Sequence, residues 1–299
     1  MSKIITTSYP APDLDGYGCA VAYAELLCAQ GKDAQAHVWG EPHLEVQWFI
    51  ETFDLERVGP TEDSDVDVVL LDTSDVKSVP GSLQVDRVIE IIDHRKLHEA
   101  EKFPNAKAQI ELVGAAATIV AERFKEASID PSKGSALLLL GGIISNTQDF
   151  TVTATTQRDR DMAKWLRSVS GAPDDLARNM FVAKSDLSGD RLSNTLLGDL
   201  KILTIQQRIV GTSQLELIGV KELIESRREE IQRVIERIRD EHNAEFMFVN
   251  MKDLDLGKSY VLCADQVTAD LMHDAPDIGW DKRLGFSSTL TVRKQLTSW

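Results

Sequence analysis

This sequence has few cysteines, and it shows neither a long apolar run nor the pattern of a secretory signal in its first residues. Its three cysteines, Cys19, Cys28 and Cys263, lie too far apart in the chain for a disulfide framework or a zinc cluster. The longest apolar candidate, residues 136–144, is much shorter than the roughly eighteen residues that cross a bilayer. No basic segment followed by an apolar one opens the chain. We therefore expect a cytoplasmic protein with reduced thiols and no membrane partner.

Positive charge is also scarce. Lys and Arg number 33 against 48 Asp and Glu, which gives a formal net charge of −15. Such a balance argues against general affinity for nucleic acids, whose phosphates attract Lys and Arg. It leaves open a small anionic substrate held in a local basic pocket. The 299 residues, 42% of them hydrophobic, suffice for one large or two medium domains.

Acidic residues follow three apolar, strand-like segments in the first third of the chain. Residues 3–7 precede Asp13 and Asp15, residues 68–71 precede Asp72, and residues 88–92 precede Asp93 and His94. If the three strands are parallel neighbours, their carboxyl ends bring these side chains to one edge of the sheet. Carboxylates that converge with a histidine are typical of a divalent metal site.

Strand and helix signals alternate as far as residue 168 and predict a mostly parallel sheet covered by helices, an α/β fold. The predicted strands are 3–7, 34–39, 67–71, 85–92 and 108–112, and the predicted helices are 18–30, 42–53, 115–125, 133–144 and 156–168. The pattern loosens between residues 170 and 190, where the polar stretch 185–190 predicts a boundary. We therefore expect domains at 1–186 and 191–299.

The second half predicts a smaller α+β domain. Its predicted elements are a strand at 208–218 interrupted at Gly211, a long charged helix at 220–242, and strands at 246–249, 259–263 and 287–292.

Motifs in the first half resemble those of the DHH phosphoesterase superfamily. In order, they are Pro12–Gly16, Leu71-Asp72, Ile92–Arg95, the small-residue helix start Val113–Thr118, and Gly142–Thr147. The second half resembles the C-terminal domain of manganese-dependent family II inorganic pyrophosphatases and exopolyphosphatases, at Asp199–Lys201, 209–214 and Arg293–Gln295. The sequence contains no Gly-Gly-Gly-His stretch, which marks the oligonucleotide-degrading branch.

The resemblance implies two metal ions, commonly Mn²⁺, that share a bridging carboxylate and activate a water. By position, Asp13 would hold the first ion, Asp72 would bridge, and Asp15 and His94 would hold the second. Co²⁺ and Mg²⁺ are alternatives, although an imidazole ligand favours Mn²⁺ or Co²⁺ over Mg²⁺.

Further roles carried over from the resemblance complete the expected active site, which would lie in a cleft between the two domains. Asp72, Asp93 and His94 would form the catalytic group, with Asp93 orienting a ligand or capping a loop. The expected substrate-binding residues are Arg95, Lys201, Arg293 and Lys294. A homodimer formed through an edge strand is an open alternative.

Three positions depart from the family pattern. Tyr9 stands where the pyrophosphatases have a metal-binding histidine, and a phenol with a pKa near ~10 is a poor ligand at neutral pH. Asn146 replaces an aspartate, so it is an additional candidate ligand that brings no charge, and Asp149 is an alternative carboxylate. Arg95 replaces the second histidine of Asp-His-His and offers a phosphate contact instead. We expect looser metal binding, most of all at the first site.

Three functions remain open at this point. The first is a metal-dependent phosphohydrolase that cleaves a phosphoanhydride or phosphoester, with a small phosphorylated substrate. The second is a phosphodiesterase or phosphatase for a small nucleotide, which Arg95 favours. The third is a catalytically impaired homologue that binds a phosphorylated ligand, which Tyr9 and Asn146 favour.

Overall fold

The computed structural model describes residues 3–63, 65–80, 83–275 and 277–297. These residues form two compact units that divide between Met180 and Phe181. The domain bounds expected from the sequence, 1–186 and 191–299, stay a prediction.

A five-stranded parallel sheet forms the centre of the first unit. Its strands are β1 (Ile4–Thr7), β2 (Ala34–Ala36), β3 (Asp67–Leu71), β4 (Val88–Asp93) and β5 (Lys107–Ile110). They lie in the order β2-β1-β3-β4-β5, and every neighbouring pair is parallel. The predicted parallel sheet is therefore confirmed. The chain leaves β1 on one side toward β2 and returns on the other as β3, and open α/β sheets bind ligands at such a reversal.

Helices pack around this sheet. They are α1 (Leu14–Ala29), α2 (Leu44–Thr52), α3 (Ala116–Glu126), α4 (Lys133–Thr147) and α5 (Gln157–Ser170), with short 3-10 turns at Val76–Ser78, Val85–Arg87 and Ala100–Lys102. α4 is apolar along most of its length, and nearly all of its residues are buried, as expected of a helix surrounded by other elements. The division between the two units falls within α6 (Leu176–Lys184).

The second unit contains a six-stranded mixed sheet. Its elements are α7 (Arg191–Gly198), β6 (Lys201–Ile205), β7 (Arg208–Leu217), α8 (Val220–Glu241), β8 (Phe246–Asp253), β9 (Lys258–Cys263), α9 (Gln266–Leu271), β10 (Gly279–Asp281), β11 (Leu284–Ser287) and α10 (Arg293–Leu296). The strand order is β10-β11-β9-β8-β7-β6. β7 and β8 are parallel because α8 connects them, and the other pairs are antiparallel. The predicted α+β character is confirmed.

One face of α8 explains its position on this sheet. Ile224, Ile231, Ile235 and Ile238 recur every three to seven residues and are buried in a cluster with Met247 and Val249 of β8. Such spacing places apolar side chains on one stripe of a helix. The remaining positions are largely charged.

Some predicted elements are wrong. Residues 176–184 and 191–198 are helical although the sequence pattern is weak there. β7 runs through Gly211 without interruption. Of the predicted strand 287–292, only Ser287 belongs to a strand. The reason is that Thr291 forms hydrogen bonds with side chains instead of pairing with the backbone of a neighbouring strand. Its N–H donates to Ser259 Oγ, and its hydroxyl donates to Asn250 Oδ1.

Among the described residues, each helix is too short or too polar to cross a bilayer.

Candidate metal centre

The first motif lies at the start of α1, which begins four residues earlier than the sequence predicted. Asp13 is the N-cap, and its Oδ1 accepts from the Gly16 N–H at 3.0 Å. Asp15 therefore lies in the first helical turn, not in a loop as predicted. An aspartate is among the best N-cap residues because its side chain satisfies an otherwise free backbone N–H.

Asp15 is fully buried and is held by the first residues of α3. Its Oδ2 accepts from the Ala116 N–H at 2.8 Å, and its Oδ1 accepts from the Ala117 N–H at 2.7 Å. A helix N-terminus offers free N–H groups and a favourable dipole to an anion. The Val113–Thr118 motif thus supplies donors that fix the orientation of the carboxylate.

α4 approaches the same carboxylate closely. A Cβ added at Gly142 would lie 2.9 Å from Asp15 Cα and 3.3 Å from Asp15 Oδ1. A glycine is therefore required here, because any side chain would displace the backbone that carries Asp15. One turn later along α4, the Asn146 side-chain amide donates to Asp15 Oδ2 at 2.6 Å.

Asp72 directly follows β3 in a left-handed backbone conformation, with φ of 55°. This conformation is uncommon for a residue other than glycine and is held by neighbouring groups. The Asp72 N–H donates to the Ile92 carbonyl at 2.8 Å, and its own carbonyl accepts from Arg95 Nη2 at 2.9 Å. Its side chain is only 2% exposed, and Oδ1 lacks a hydrogen-bond partner of good geometry.

His94 follows β4 and points one ring nitrogen at both carboxylates. Its Nδ1 lies 3.1 Å from the Val113 carbonyl. Because a carbonyl only accepts, Nδ1 carries a proton, which leaves Nε2 of the neutral ring as a free acceptor. That Nε2 lies 3.2 Å from Asp72 Oδ1 and 3.8 Å from Asp15 Oδ2. A backbone partner that fixes the imidazole in this way is usual for a metal-binding histidine.

Asp15, Asp72 and His94 each offer one ligand atom, and the three atoms lie within 4.8 Å of one another. This cluster, which we call the DDH cluster, fits a divalent ion. Two carboxylate oxygens and one imidazole nitrogen are hard and borderline donors that suit Mn²⁺. A cation would also compensate the negative charge of the two buried carboxylates.

In the DDH cluster, the pKa of each group depends on burial and on the charges of the other groups. Burial raises the pKa of Asp15 to about 6 although His94 lowers it, and burial also raises the pKa of Asp72. Burial lowers the pKa of His94, but its close contact with Asp72 Oδ1 and the charges of Asp15 and Asp72 outweigh this effect and raise the pKa to about 10. A cation is thus favoured between the two carboxylates, and a metal ion would replace the proton of His94.

Asp93 does not join the DDH cluster. It is fully buried, accepts from Ser74 Oγ at 2.5 Å, and accepts from the His94 N–H at 2.7 Å. These bonds fix the backbone from which the His94 side chain projects. The geometry corresponds to the loop-capping role among the expectations for this residue.

Among the described residues, the other candidate ligands are not members of the DDH cluster. Asp13 is only partly buried and caps α1, while Asn146 turns its amide nitrogen toward Asp15. Asp149 is exposed. The Tyr9 hydroxyl accepts from the Asp13 N–H at 3.2 Å, and its ring lies 5.6 Å from the Arg95 guanidinium carbon.

The candidate substrate residues of the second unit differ in environment. Lys201, at the start of β6, and Lys294, in α10, are exposed. Arg293 is half-buried and ion-paired with Asp199, and it also donates to the Asp199 carbonyl at 3.2 Å. Arg95 belongs to the first unit and lies beside Asp72.

Two residues that support the candidate metal centre were not among those predicted from the sequence. Cys19 lies one turn after Asp15, and its Sγ is 3.5 Å from Asp15 Oδ1. The i, i+4 spacing on α1 is the signal that could have identified it. Asp159 is fully buried and accepts from the Gly114 N–H and the Thr118 hydroxyl, so it holds the segment that starts α3. The capping box Thr156–Asp159 is its sequence signature.

Comparison with known proteins extends over nearly the whole chain. Residues 178–298 match the DHHA2 domain. The manganese-dependent inorganic pyrophosphatase of Bacillus subtilis is 27% identical over 258 residues, which are 85% of this chain and 83% of that protein. A Bacillus licheniformis protein named probable manganese-dependent inorganic pyrophosphatase is 28% identical over 270 residues, covering 89% and 87%.

The fold has a close counterpart among solved structures. A Methanococcus jannaschii protein, described as a candidate family II inorganic pyrophosphatase, superposes with a TM-score of 0.74 at 22% identity, covering 99% of this chain and 98% of the other. An exopolyphosphatase-related protein from Bacteroides fragilis gives a TM-score of 0.52 at 15% identity, covering 99% and 90%. The solved structures show the fold, and the DHHA2 match and the curated relatives confirm the resemblance to the DHH phosphoesterase superfamily.

Proposed function

We propose that this chain is a manganese-dependent phosphohydrolase that cleaves a phosphoanhydride or a phosphoester with a metal-activated water. The observation that carries the proposal is the DDH cluster, in which Asp72 Oδ1 is buried without a well-aligned partner. Relatives of similar length are named as manganese-dependent inorganic pyrophosphatases, which supports both the metal and the reaction class.

The residues of the cluster have distinct tasks in this proposal. Asp15, Asp72 and His94 would hold the ion, and the Asp93 carboxylate positions His94 by accepting from the His94 backbone N–H. A bound Mn²⁺ supplies Lewis acidity to the phosphoryl oxygens and lowers the pKa of a coordinated water. Because His94 binds metal only as a neutral imidazole, its proton leaves when the ion is bound.

Arg95 is the proposed phosphate-binding residue of the first unit. A planar guanidinium binds two oxygens of one phosphate in parallel, and its donors are not lost by deprotonation. Lys201, Arg293 and Lys294 stay predicted phosphate-binding residues on the strength of the family resemblance.

A phosphodiesterase or phosphatase for a small nucleotide is a second candidate. The observation that favours it is Arg95 itself, whose guanidinium donates to the Asp72 carbonyl and whose side chain is 37% exposed. Either activity uses the same ion and the same water, so the two candidates differ only in substrate.

The test measures phosphate or nucleotide release from pyrophosphate, polyphosphate, a linear dinucleotide and a nucleoside monophosphate with Mn²⁺, Co²⁺ or Mg²⁺. Asp72→Asn should abolish metal-dependent hydrolysis and bound Mn²⁺ while the circular-dichroism spectrum is unchanged. The exposed Asp86→Asn makes the same charge change in the same unit and should retain both. Hydrolysis by Asp72→Asn at the wild-type rate would refute the assignment. A folded wild type that holds Mn²⁺ yet turns over none of these substrates would instead favour a ligand-binding homologue.

A further inference from the structure

Asp13, which is expected to hold a first metal ion, and the two substituted positions Tyr9 and Asn146 all take part in hydrogen bonds. Asp13 Oδ1 accepts from Gly16, and the Asp13 N–H donates to the Tyr9 hydroxyl. The Asn146 amide nitrogen, which is a donor and not a ligand, faces Asp15. These side chains therefore offer a first ion one carboxylate, beside a phenol that is uncharged at neutral pH and an amide nitrogen that cannot bind a cation. They do not form a ligand set comparable with the DDH cluster.

A fixed cation is present at this end of the cluster. The Arg95 guanidinium carbon lies 5.6 Å from the centre of the Tyr9 ring, a distance typical of a cation–π contact. Arg95 Nη2 donates to the Asp72 carbonyl at 2.9 Å, and Nε and Nη1 lie 3.8 Å from Asp93 and 3.9 Å from Asp75. These four contacts hold the Arg95 guanidinium in place, and part of the Arg95 side chain stays accessible to solvent.

We propose that the chain binds one divalent ion, in the DDH cluster, and that Arg95, held by the Tyr9 ring, replaces the second ion as the cation that binds the substrate phosphate. This inference rests on the proposed phosphohydrolase function and deepens it. Both departures from the family pattern at Tyr9 and Arg95 then have one explanation, because the aromatic ring supports the guanidinium.

The replacement has a consequence for the substrate. A guanidinium carries one positive charge where a metal ion carries two, and it binds a single phosphate in a bidentate manner. The centre therefore suits a phosphomonoester or a small nucleotide better than the more highly charged pyrophosphate.

The first measurement is the number of Mn²⁺ ions per chain, by calorimetry and by metal analysis after desalting, and it needs no turnover. Wild type should bind one ion, and two would overturn the inference. The triple variant Tyr9→His, Arg95→His, Asn146→Asp should bind a second, weaker ion, and a count that stays at one would contradict the role given to these positions. The exposed Arg57→His is the matched control and should keep a count of one.

The second measurement is the affinity of the Mn²⁺-loaded protein for inorganic phosphate. Arg95→Gln should weaken phosphate binding about tenfold or more while still binding one ion, as expected when charge-assisted hydrogen bonds are lost. Arg95→Lys should recover part of the affinity. Phosphate affinity equal to wild type in Arg95→Gln would overturn the assignment.

The Tyr9 ring can be tested separately from its hydroxyl. Tyr9→Phe keeps the ring and should keep the phosphate affinity, whereas Tyr9→Leu should weaken it, and equal affinities would refute the supporting role of the ring. These outcomes are distinct from failure of the proposed function. A wild type that hydrolyses with two ions refutes only the present inference, whereas unchanged hydrolysis by Asp72→Asn refutes the function.

Discussion

Replacing Gly142 by alanine tests whether the contact between α4 and α1 positions the metal ligand. The new Cβ would lie 2.9 Å from Asp15 Cα, 3.3 Å from Asp15 Oδ1 and 3.3 Å from the Leu14 carbonyl oxygen. The nearest atom belongs to the backbone, which cannot rotate away as a flexible side chain can. α1 must therefore move, and Asp15 moves with it relative to the two α3 N–H groups that hold its carboxylate.

The expected cost follows from two opposing contributions. Overpacking of a close contact destabilises by about 1–3 kcal/mol. Alanine is favoured over glycine in a helix by about 1 kcal/mol. The net loss of unfolding free energy should therefore be about 0–2 kcal/mol. Because a ligand is displaced, Mn²⁺ affinity should fall about tenfold, which corresponds to about 1.4 kcal/mol.

Urea denaturation in the presence of a chelator measures the first quantity, and calorimetric titration with Mn²⁺ measures the second. Gly198→Ala is the control, because a Cβ on this last residue of α7 would meet nothing within 4 Å. It should be neutral or gain up to about 1 kcal/mol. If Gly142→Ala is as stable as Gly198→Ala and binds Mn²⁺ like wild type, the close-contact argument is refuted.

Three further predictions concern pH and stability. Mn²⁺ must displace the proton of His94, whose pKa is about 10 without metal, so the calorimetric affinity should rise about tenfold per pH unit between about pH 7 and 9; an affinity independent of pH would contradict this. Arg123→Ala removes the guanidinium that Glu90 Oε1 accepts from at 2.5 Å, and urea denaturation should show a loss of about 2 kcal/mol, because a partly buried carboxylate loses its charged partner and keeps only the Tyr23 hydroxyl. An unchanged free energy of unfolding would mean that water screens the Arg123–Glu90 ion pair. Asp159→Ala should cost about 2–4 kcal/mol in the same assay, because the buried Gly114 N–H and Thr118 hydroxyl lose their acceptor; a loss below about 1 kcal/mol would contradict this.

The sequence was informative where local pattern and chemistry coincide. β3 and β4 are mainly apolar strands followed directly by Asp72 and by His94, and their parallel pairing brings these two side chains to 3.2 Å. The true start of α1 was missed because Asp13 and Asp15 are equally compatible with a loop and with an N-cap and first turn. The distinction depends on the α3 N–H groups, which are about a hundred positions away in the chain.

Other features depend on contacts that no local pattern encodes. The stacking of Arg95 on Tyr9 requires the loops after β1 and β4 to meet. Whether residues 287–292 form a strand depends on side chains of β8 and β9. Asn250 and Ser259 form hydrogen bonds with Thr291, which therefore does not pair with the backbone of a neighbouring strand. The β-rich composition of residues 287–292 does not show that side-chain hydrogen bonds will take the place of strand pairing.

In the proposed function Asp15 both binds the metal ion and holds helices together, and this affects how related sequences are to be interpreted. Its carboxylate ties α1 to the beginning of α3 and contacts α4, independently of any ion. Asp72, in contrast, leaves Oδ1 without a hydrogen-bond partner of good geometry. A descendant that lost its metal would therefore be selected to keep Asp15 for folding and would be free to lose Asp72. Retention of the first motif is consequently a record of ancestry, whereas an intact Asp72 is the better indicator of surviving chemistry.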